Sequence, residues 1–202
     1  METTSIAGQT VTVHRFNTVI VGAGAAGMNC AKKLYETMTQ KGMGDAHQRI
    51  AVVTAGLPLG ASRMSGSDKQ TYYKMGTSPD IADSAESFAK SLTAGGGCHG
   101  DLALAEGIGS LRGFYNLVEA GVPFPNDPMG TYVGYKTDHD PYERATSAGP
   151  KTSKVMSECL ETIVRRCGVE IFDHQEAVEF PKDNGRIVGL VTLHKKTLSG
   201  QT

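Results

Sequence analysis

The sequence has no tryptophan, few cysteines and no long apolar segment. None of its four cysteines belongs to a CxxC pair, so the sequence indicates neither a disulfide framework nor a zinc site of paired cysteines. We interpret all four as reduced, buried thiols of a cytoplasmic protein; they are Cys30, Cys98, Cys159 and Cys167. The longest apolar run near the start, residues 18–28, is too short for a transmembrane span, which needs about 20 apolar residues. The first 12 residues also lack the pattern of a signal peptide.

An excess of charge of either sign is also missing. The 20 basic and 21 acidic residues leave a formal net charge of −1. This balance gives no electrostatic reason to expect nucleic acid or an anionic membrane as a partner. A length of 202 residues predicts one domain, or one domain and part of a second.

The first clear pattern is a strand, a helix and a second strand. Residues 18–21 and 50–53 are short, continuous apolar runs of the kind that form buried parallel strands. Residues 28–40 have helical periodicity, with Ala31, Leu34 and Met38 on one face. Together they predict a βαβ unit and an α/β fold.

Further elements are predicted along the rest of the chain. Helices are expected over residues 79–92, 102–120 and 152–167, and a strand over 169–172. Residues 176–180 and 186–194 predict an antiparallel β-hairpin around the turn Asn184-Gly185. Residues 55–76 and 123–142 are expected to be loops or irregular.

A glycine-rich turn, Gly22-Ala23-Gly24-Ala25-Ala26-Gly27, joins the first strand to its helix. A lone GxGxxG pattern is weak evidence, but here it lies between a strand and a helix, as dinucleotide binding requires. Gly22 permits the tight turn, Gly24 lets the backbone approach a pyrophosphate, and Gly27 lets helix and strand pack closely. The helix N-terminus then offers free N–H groups to the phosphates.

One part of the dinucleotide fingerprint is missing. An acidic residue usually ends the second strand and binds a ribose hydroxyl, whereas this chain has Thr54 followed by Ala55. This difference argues against a plain NAD enzyme. NADP stays open as an alternative, with Arg63 as the residue that would bind its 2′-phosphate.

Three segments carry a resemblance to a known family. Residues 17–54, 58–69 and the GVPF segment at 121–124 resemble the flavoprotein subunits of succinate dehydrogenase and fumarate reductase. The resemblance covers residues 14–193. It implies a Rossmann-like FAD/NAD(P)-binding fold, of which this chain would be the N-terminal part of a split FAD domain.

The resemblance also implies a flavin site. It places Ser62, Arg63, Ser65, Gly66 and Ser67 near the isoalloxazine and ribityl chain, and Ala177 and Val178 against the adenine. Ser62 lies where respiratory relatives have a flavin-linked histidine, so we expect non-covalent FAD. A pair of glycines in the family is Asp68-Lys69 here.

The implied organisation is a single incomplete FAD-binding domain over residues 1–202, with residues 1–14 flexible. A capping domain, the final strands and the catalytic residues of the family would lie outside it, so no catalytic residue is assigned. The implied reaction is hydride transfer through flavin N5 to or from a small carboxylate-type substrate. An iron–sulfur or other electron-transfer partner is compatible with this reading. A non-catalytic binding or assembly module is a further alternative.

Three further groups of polar residues are candidates for metal, anion or catalytic sites. Asp138-His139-Asp140 resembles a metal cluster, but adjacent residues of an extended segment point in alternating directions. No metal site is therefore predicted. Arg144 and Lys151 are interpreted either as binding an anion or as surface residues. Adjacent Cys98 and His99 are not expected to form a catalytic pair.

Overall fold

A computed structural model of the chain describes residues 2–6, 8–67 and 70–198 and shows a mixed α/β protein. The strands are β1 (Glu2–Ile6), β2 (Gln9–Val13), β3 (Thr18–Val21), β4 (Ile50–Val53), β5 (Tyr72–Tyr73), β6 (Tyr135–Thr137), β7 (Asp140–Thr146), β8 (Glu170–Phe172), β9 (Gln175–Glu179), β10 (Lys182–Asp183), β11 (Arg186–Ile187) and β12 (Val191–His194). The α-helices are α1 (Ala25–Gln40), α2 (Ala61–Met64), α3 (Ala85–Thr93), α4 (Gly100–Glu119), α5 (Thr152–Arg166) and α6 (Lys195–Leu198). A 3-10 helix covers Ala46–Arg49.

The described chain divides into two compact units. The first unit contains the described residues up to Arg63 and those from Leu160 onwards, and the second contains the described residues from Met64 to Cys159. This division subdivides the stretch that the sequence analysis treats as one incomplete domain.

A parallel three-stranded sheet forms the centre of the first unit. Its strand order is β3-β4-β8, with Thr18 opposite Ile50 and Val52 opposite Ile171. All four residues of β4 are buried, as expected for the middle strand of such a sheet. Met28 and Ala31 of α1 are also fully buried. The predicted strand–helix–strand arrangement is therefore confirmed, although α1 begins at Ala25 rather than at residue 28.

The predicted hairpin near the C-terminus is present in the first unit. Strands β9 and β12 pair antiparallel, and the shorter β10 and β11 continue toward the turn. Asn184 and Gly185 have φ angles of 47° and 80°. A two-residue hairpin turn of this kind requires positive φ at both positions, which explains the Asn-Gly pair.

A second hairpin lies at the N-terminus, where the sequence analysis expects a flexible segment. Strands β1 and β2 pair antiparallel, with Glu2 opposite Val13 and Ile6 opposite Gln9. Arg15 forms an ion pair with Glu2 at 2.6 Å, and both side chains are exposed. Regular structure here was not predicted, because the apolar alternation of these two strands is weak and little of either strand is buried.

The second unit combines α3 and α4 with a small antiparallel sheet of order β5-β7-β6. The sequence predicts loops where β5 and β6 lie. That prediction is wrong because pairing with β7, rather than local apolar periodicity, defines these short strands. The helix predicted from residue 79 begins only at Ala85, since the Ser84 hydroxyl accepts the Ser87 N–H at 3.1 Å and caps it.

The core of the second unit is aromatic and includes one lysine. The Phe114 ring lies 4.9 Å from that of Phe124 and 5.2 Å from that of Tyr132. Lys74 is fully buried beside it, with Nζ 5.5 Å from the Phe114 ring centroid. The ammonium donates to Thr77 Oγ1 at 2.8 Å, and burial lowers the pKa of Lys74.

Candidate functional site

The glycine-rich turn begins where β3 ends. Gly22 has a φ of 108°, a conformation that glycine adopts without strain. Its N–H donates to the Val53 carbonyl at 2.7 Å, which holds the turn against the end of β4. The turn therefore opens at the carboxyl edge of the parallel sheet, where ligands of open α/β sheets bind.

Gly27 packs directly onto this turn. A Cβ at position 27 would lie 1.9 Å from the Gly22 carbonyl oxygen and 3.5 Å from Ile20 Cγ2. No side chain fits at such a distance, so only glycine lets α1 approach β3 this closely. The structure thus shows the close packing that the GxGxxG spacing predicts.

The N-terminus of α1 is hydrogen-bonded to a serine hydroxyl from another element. Gly24 is the N-cap residue and has no side chain to cap the helix. Instead, the Ala25 N–H donates to Ser62 Oγ at 3.1 Å, and Ser62 belongs to the short helix α2. A Cβ on Gly24 would come 3.2 Å from the same oxygen. The turn, the first residues of α1 and Ser62 therefore form one small polar surface.

Thr54 directly follows the second parallel strand, β4, and is buried. Its N–H donates to the Phe172 carbonyl at 3.0 Å, and its Oγ1 lies 3.4 Å from the Gly56 nitrogen, which donates to it. The position that usually carries a carboxylate thus has a neutral hydroxyl. Ala55, the next residue, also faces the adjoining cleft.

Strand β9 closes another side of the site. The Gln175 N–H donates to the Thr54 carbonyl at 2.8 Å, which joins the start of β9 to the end of β4. Gln175 and Ala177 line the cleft. Val178, the residue after Ala177, does not line it and is 55% exposed. The alternation of a strand explains why Ala177 and Val178 differ in this way.

These elements enclose an open cleft of about 390 Å³, within the roughly 300–1,000 Å³ range of small-molecule sites. None of the described side chains that line it is charged or titratable. The lining residues are Val21, Gly22, Ala23, Gly24, Val53, Thr54, Ala55, Gly56, Leu59, Gly60, Ala61, Ser62, Gln175 and Ala177. A cleft without carboxylates and with a helix N-terminus at its edge favours an anionic group. It has no side chain that could serve as an acid or a base.

Some of the predicted site residues lie elsewhere. Arg63 is turned toward α5, where its guanidinium forms an ion pair with Glu161. Ser65, Gly66 and Ser67 belong to the second unit, where the Ser67 N–H donates to the Pro150 carbonyl at 3.0 Å. Their contact with a flavin stays a prediction. Asp68 and Lys69 lie outside the described residues.

Arg144 binds neither a surface anion nor solvent, because it is buried in the second unit. Its guanidinium donates to Asp83 at 2.7 and 2.8 Å and to Ser87 Oγ at 2.6 Å. Asp140 accepts from the same guanidinium at 3.3 Å, so this aspartate is part of an ion pair within the fold. Lys151 is exposed.

The expectation that all four cysteines are buried is wrong. Cys30 and Cys98 are exposed rather than buried, and Cys159 and Cys167 are partly exposed. Burial raises the pKa of the Cys159 and Cys167 thiols. Cys98 Sγ lies 3.8 Å from the His99 carbonyl oxygen, and this contact does not involve the imidazole.

Two contributions to the cleft were missed by sequence reasoning. Gln175 was overlooked because it was read as the residue before a hairpin strand. Leu59 and Gly60 lie in a segment that resembles the flavoprotein family, but neither was predicted as a site residue. The position of Gln175 three residues after the third parallel strand was the available signal, since residues at that edge of a sheet face the ligand crevice.

No family model and no curated protein matches this sequence. Solved structures do match its fold. An E. coli quinol fumarate reductase FrdA chain has a TM-score of 0.68 at 23% identity, over 87% of this chain and 28% of its own. A flavocytochrome c3 fumarate reductase gives 0.67 at 17% identity, over 89% and 30%.

A third matched structure is an enzyme that acts on a different class of substrate. The 3-ketosteroid-Δ4-(5α)-dehydrogenase of Rhodococcus jostii RHA1, solved with 4-androstene-3,17-dione, has a TM-score of 0.67 at 18% identity, over 91% of this chain and 43% of its own. In the part of the chain that the structure describes, no helix is both long and apolar enough to cross a membrane. The chain thus has the fold of part of the fumarate reductases and related oxidoreductases, and it spans less than half the length of these structures.

Proposed function

We propose that this chain is the FAD-binding portion of an oxidoreductase like fumarate reductase and succinate dehydrogenase. The observation that carries the proposal is the Gly22–Gly27 turn, which presents a helix N-terminus to an uncharged cleft at the carboxyl edge of a parallel sheet. The family resemblance and the fold of the matched structures support the choice of flavin.

The residues present fit such a cofactor. Gly24 keeps the backbone bare beside Ser62, leaving room that a side chain would fill. Backbone N–H groups of Gly24, Ala26 and Gly27 and the dipole of α1 would hold the diphosphate. Ser62 accepts the Ala25 N–H, so its own O–H is directed elsewhere and can donate to a phosphate oxygen.

Bound FAD would supply hydride transfer at its N5 atom. None of the described side chains that line the cleft is titratable, so the described cleft contributes binding and orientation. We assign the groups that act on the substrate to parts of the enzyme beyond this chain. The matched structures, of which it covers 28–43%, support that assignment.

Several finer points belong to the same proposal. The substrate would be a small carboxylate and the FAD non-covalent, in a Rossmann-like domain completed by further strands and a capping domain. An electron-transfer partner, iron–sulfur or other, and a cytoplasmic location are proposed with them. The steroid dehydrogenase among the matched structures means that the carboxylate substrate rests on the sequence resemblance rather than on the fold.

The NADP alternative loses its main support. It relied on Arg63 to bind a 2′-phosphate, and the structure directs this guanidinium to Glu161. Isothermal titration calorimetry of the chain with FAD and, separately, with NADP tests which of the two cofactors it binds. We expect one equivalent of FAD to bind more tightly than NADP. Absence of FAD binding, or tighter NADP binding, would overturn the proposal.

A further inference from the structure

Gln175 is fixed at the rim of the cofactor cleft by its backbone. Its N–H donates to the Thr54 carbonyl at 2.8 Å, and its position in β9 is set by pairing with His194 of β12. The side chain lines the cleft together with Thr54. The next residue, Glu176, points to the other side of the strand and is exposed.

The Gln175 amide forms no hydrogen bond with any other residue that the structure describes. Three polar side chains line the cleft: Thr54, Ser62 and Gln175. Ser62 is engaged with the N-terminus of α1, and Thr54 Oγ1 receives the Gly56 N–H. Among these three described side chains, Gln175 is thus the one with no donor or acceptor engaged in a hydrogen bond of the described fold, and its amide offers both.

The place of this amide in the sheet is informative. In dinucleotide-binding sheets a carboxylate at the end of the second strand accepts a ribose hydroxyl. Thr54 is at that position here and is a weaker acceptor than a carboxylate. Gln175 reaches the same edge from the strand that follows β8, and an amide oxygen is a suitable acceptor for a ribose O–H.

We propose that Gln175 recognises the ribose of the adenosine half of the cofactor, in place of the carboxylate that the chain lacks. This inference rests on the proposed FAD function and adds a specificity residue to it. Because the amide is neutral, Gln175 accepts a ribose hydroxyl without repelling a phosphate next to it. A glutamate at this position would bind the hydroxyl more strongly and exclude a 2′-phosphate.

Binding of FAD and FMN to the full chain and to Q175L provides the first test, because FMN has no adenosine half. We expect Q175L to bind FAD about fivefold more weakly, which corresponds to about 1 kcal/mol for one neutral hydrogen bond. FMN affinity should not change. The matched control, E176L, alters the neighbouring exposed residue of β9 and should bind both flavins as the unsubstituted chain does.

A second variant keeps the test independent of folding defects. Q175E should bind FAD at least as tightly as the unsubstituted chain. For both proteins, competition against FAD is measured with ADP and with 2′,5′-ADP. We expect Q175E to keep its affinity for ADP and to lose at least tenfold for 2′,5′-ADP.

The outcomes separate the two proposals. FAD binding that is unchanged in Q175L, or an equal loss for FAD and FMN, overturns the role of Gln175 and leaves the FAD function standing. Equal weakening of ADP and 2′,5′-ADP in Q175E also overturns it. Failure of the unsubstituted chain to bind FAD overturns the proposed function and this inference together.

Discussion

Gly27 stands so close to Gly22 that a Cβ at position 27 would lie 1.9 Å from the Gly22 carbonyl oxygen. The oxygen belongs to the backbone of a turn whose own φ of 108° restricts it to glycine. Neither residue can therefore move aside for the other. Glycine at both positions therefore allows α1 to approach the end of β3 this closely.

Replacing Gly27 with alanine should destabilise the protein by roughly 3 kcal/mol, because α1 or the turn must shift to accept the methyl group. The same shift displaces the N–H groups of the turn, so FAD affinity should fall as well. Thermal or urea unfolding followed by circular dichroism measures the first effect, and flavin titration measures the second.

Gly109 provides the matched control for this substitution. It is also a helical glycine, but a Cβ there meets nothing within 4 Å. Gly109→Ala should stabilise the chain by about 1 kcal/mol, the difference in helix propensity between the two residues. Equal destabilisation by both substitutions would contradict the close packing described for Gly27.

Ser62→Ala should weaken FAD binding about tenfold, because it removes a hydroxyl that accepts the Ala25 N–H and faces the proposed phosphate site. Ser84→Ala is the comparison, since Ser84 caps α3 in the second unit by a similar hydrogen bond to Ser87 N. Each change should lower stability by about 1 kcal/mol. If both or neither alter FAD affinity, the role assigned to Ser62 is wrong.

The central elements were predictable because their signals are local. The apolar runs of β3 and β4, the glycines between them and the Asn184-Gly185 turn each follow from a few consecutive residues. The antiparallel sheet of the second unit was not predicted, since β5 and β7 are far apart in sequence and pair only through the fold.

The site shows the same division between local and long-range signals. The glycine turn, Thr54 and Ala177 lie at the cleft as the sequence indicated. Arg144 was misread because its partner Asp83 lies 61 residues earlier. The ion pair of Arg63 was likewise not predicted, since Glu161 lies 98 residues later. The contact of Arg63 with a flavin stays a prediction. Local sequence patterns do not predict ion pairs between residues that are so far apart in the sequence.

The flavin should be released intact when the protein is denatured, because Ser62 cannot form the covalent bond that a histidine would form. We expect acid precipitation of the FAD complex to leave all flavin absorbance in the supernatant. The mass of the precipitated polypeptide should equal that of the apoprotein. A polypeptide mass increased by one FAD would contradict non-covalent binding.

Acid should destabilise the second unit through Asp83. Burial raises the pKa of this carboxyl, but hydrogen bonds from Arg144, Ser87 and two backbone N–H groups outweigh it and hold the pKa far below its usual value. A carboxyl with a lowered pKa stabilises the fold above its unfolded pKa, about 3.9. Stability should therefore decline as the pH falls below about 4.

The Asp83→Asn variant tests this directly. Because it leaves Arg144 buried with one partner fewer, it should lose about 3–5 kcal/mol at pH 7, and its stability should decline less steeply between pH 4 and 2. Unfolding by urea at a series of pH values measures both. Glu86→Gln, which alters an exposed carboxylate paired with Lys90, should behave as the unsubstituted chain does. An Asp83→Asn variant with the original acid dependence would contradict the assignment.

The burial of Lys74 allows opening of the second unit to be measured by chemical modification. Because its ammonium is enclosed beside Phe114, an amine-reactive reagent can reach it only when the second unit opens, whereas Lys90 is exposed and reacts throughout. The ratio of the two modified peptides in a mass spectrum thus reports the fraction of molecules in which this unit is open. In a chain that has no tryptophan, Lys74 thus serves as an internal chemical reporter of opening.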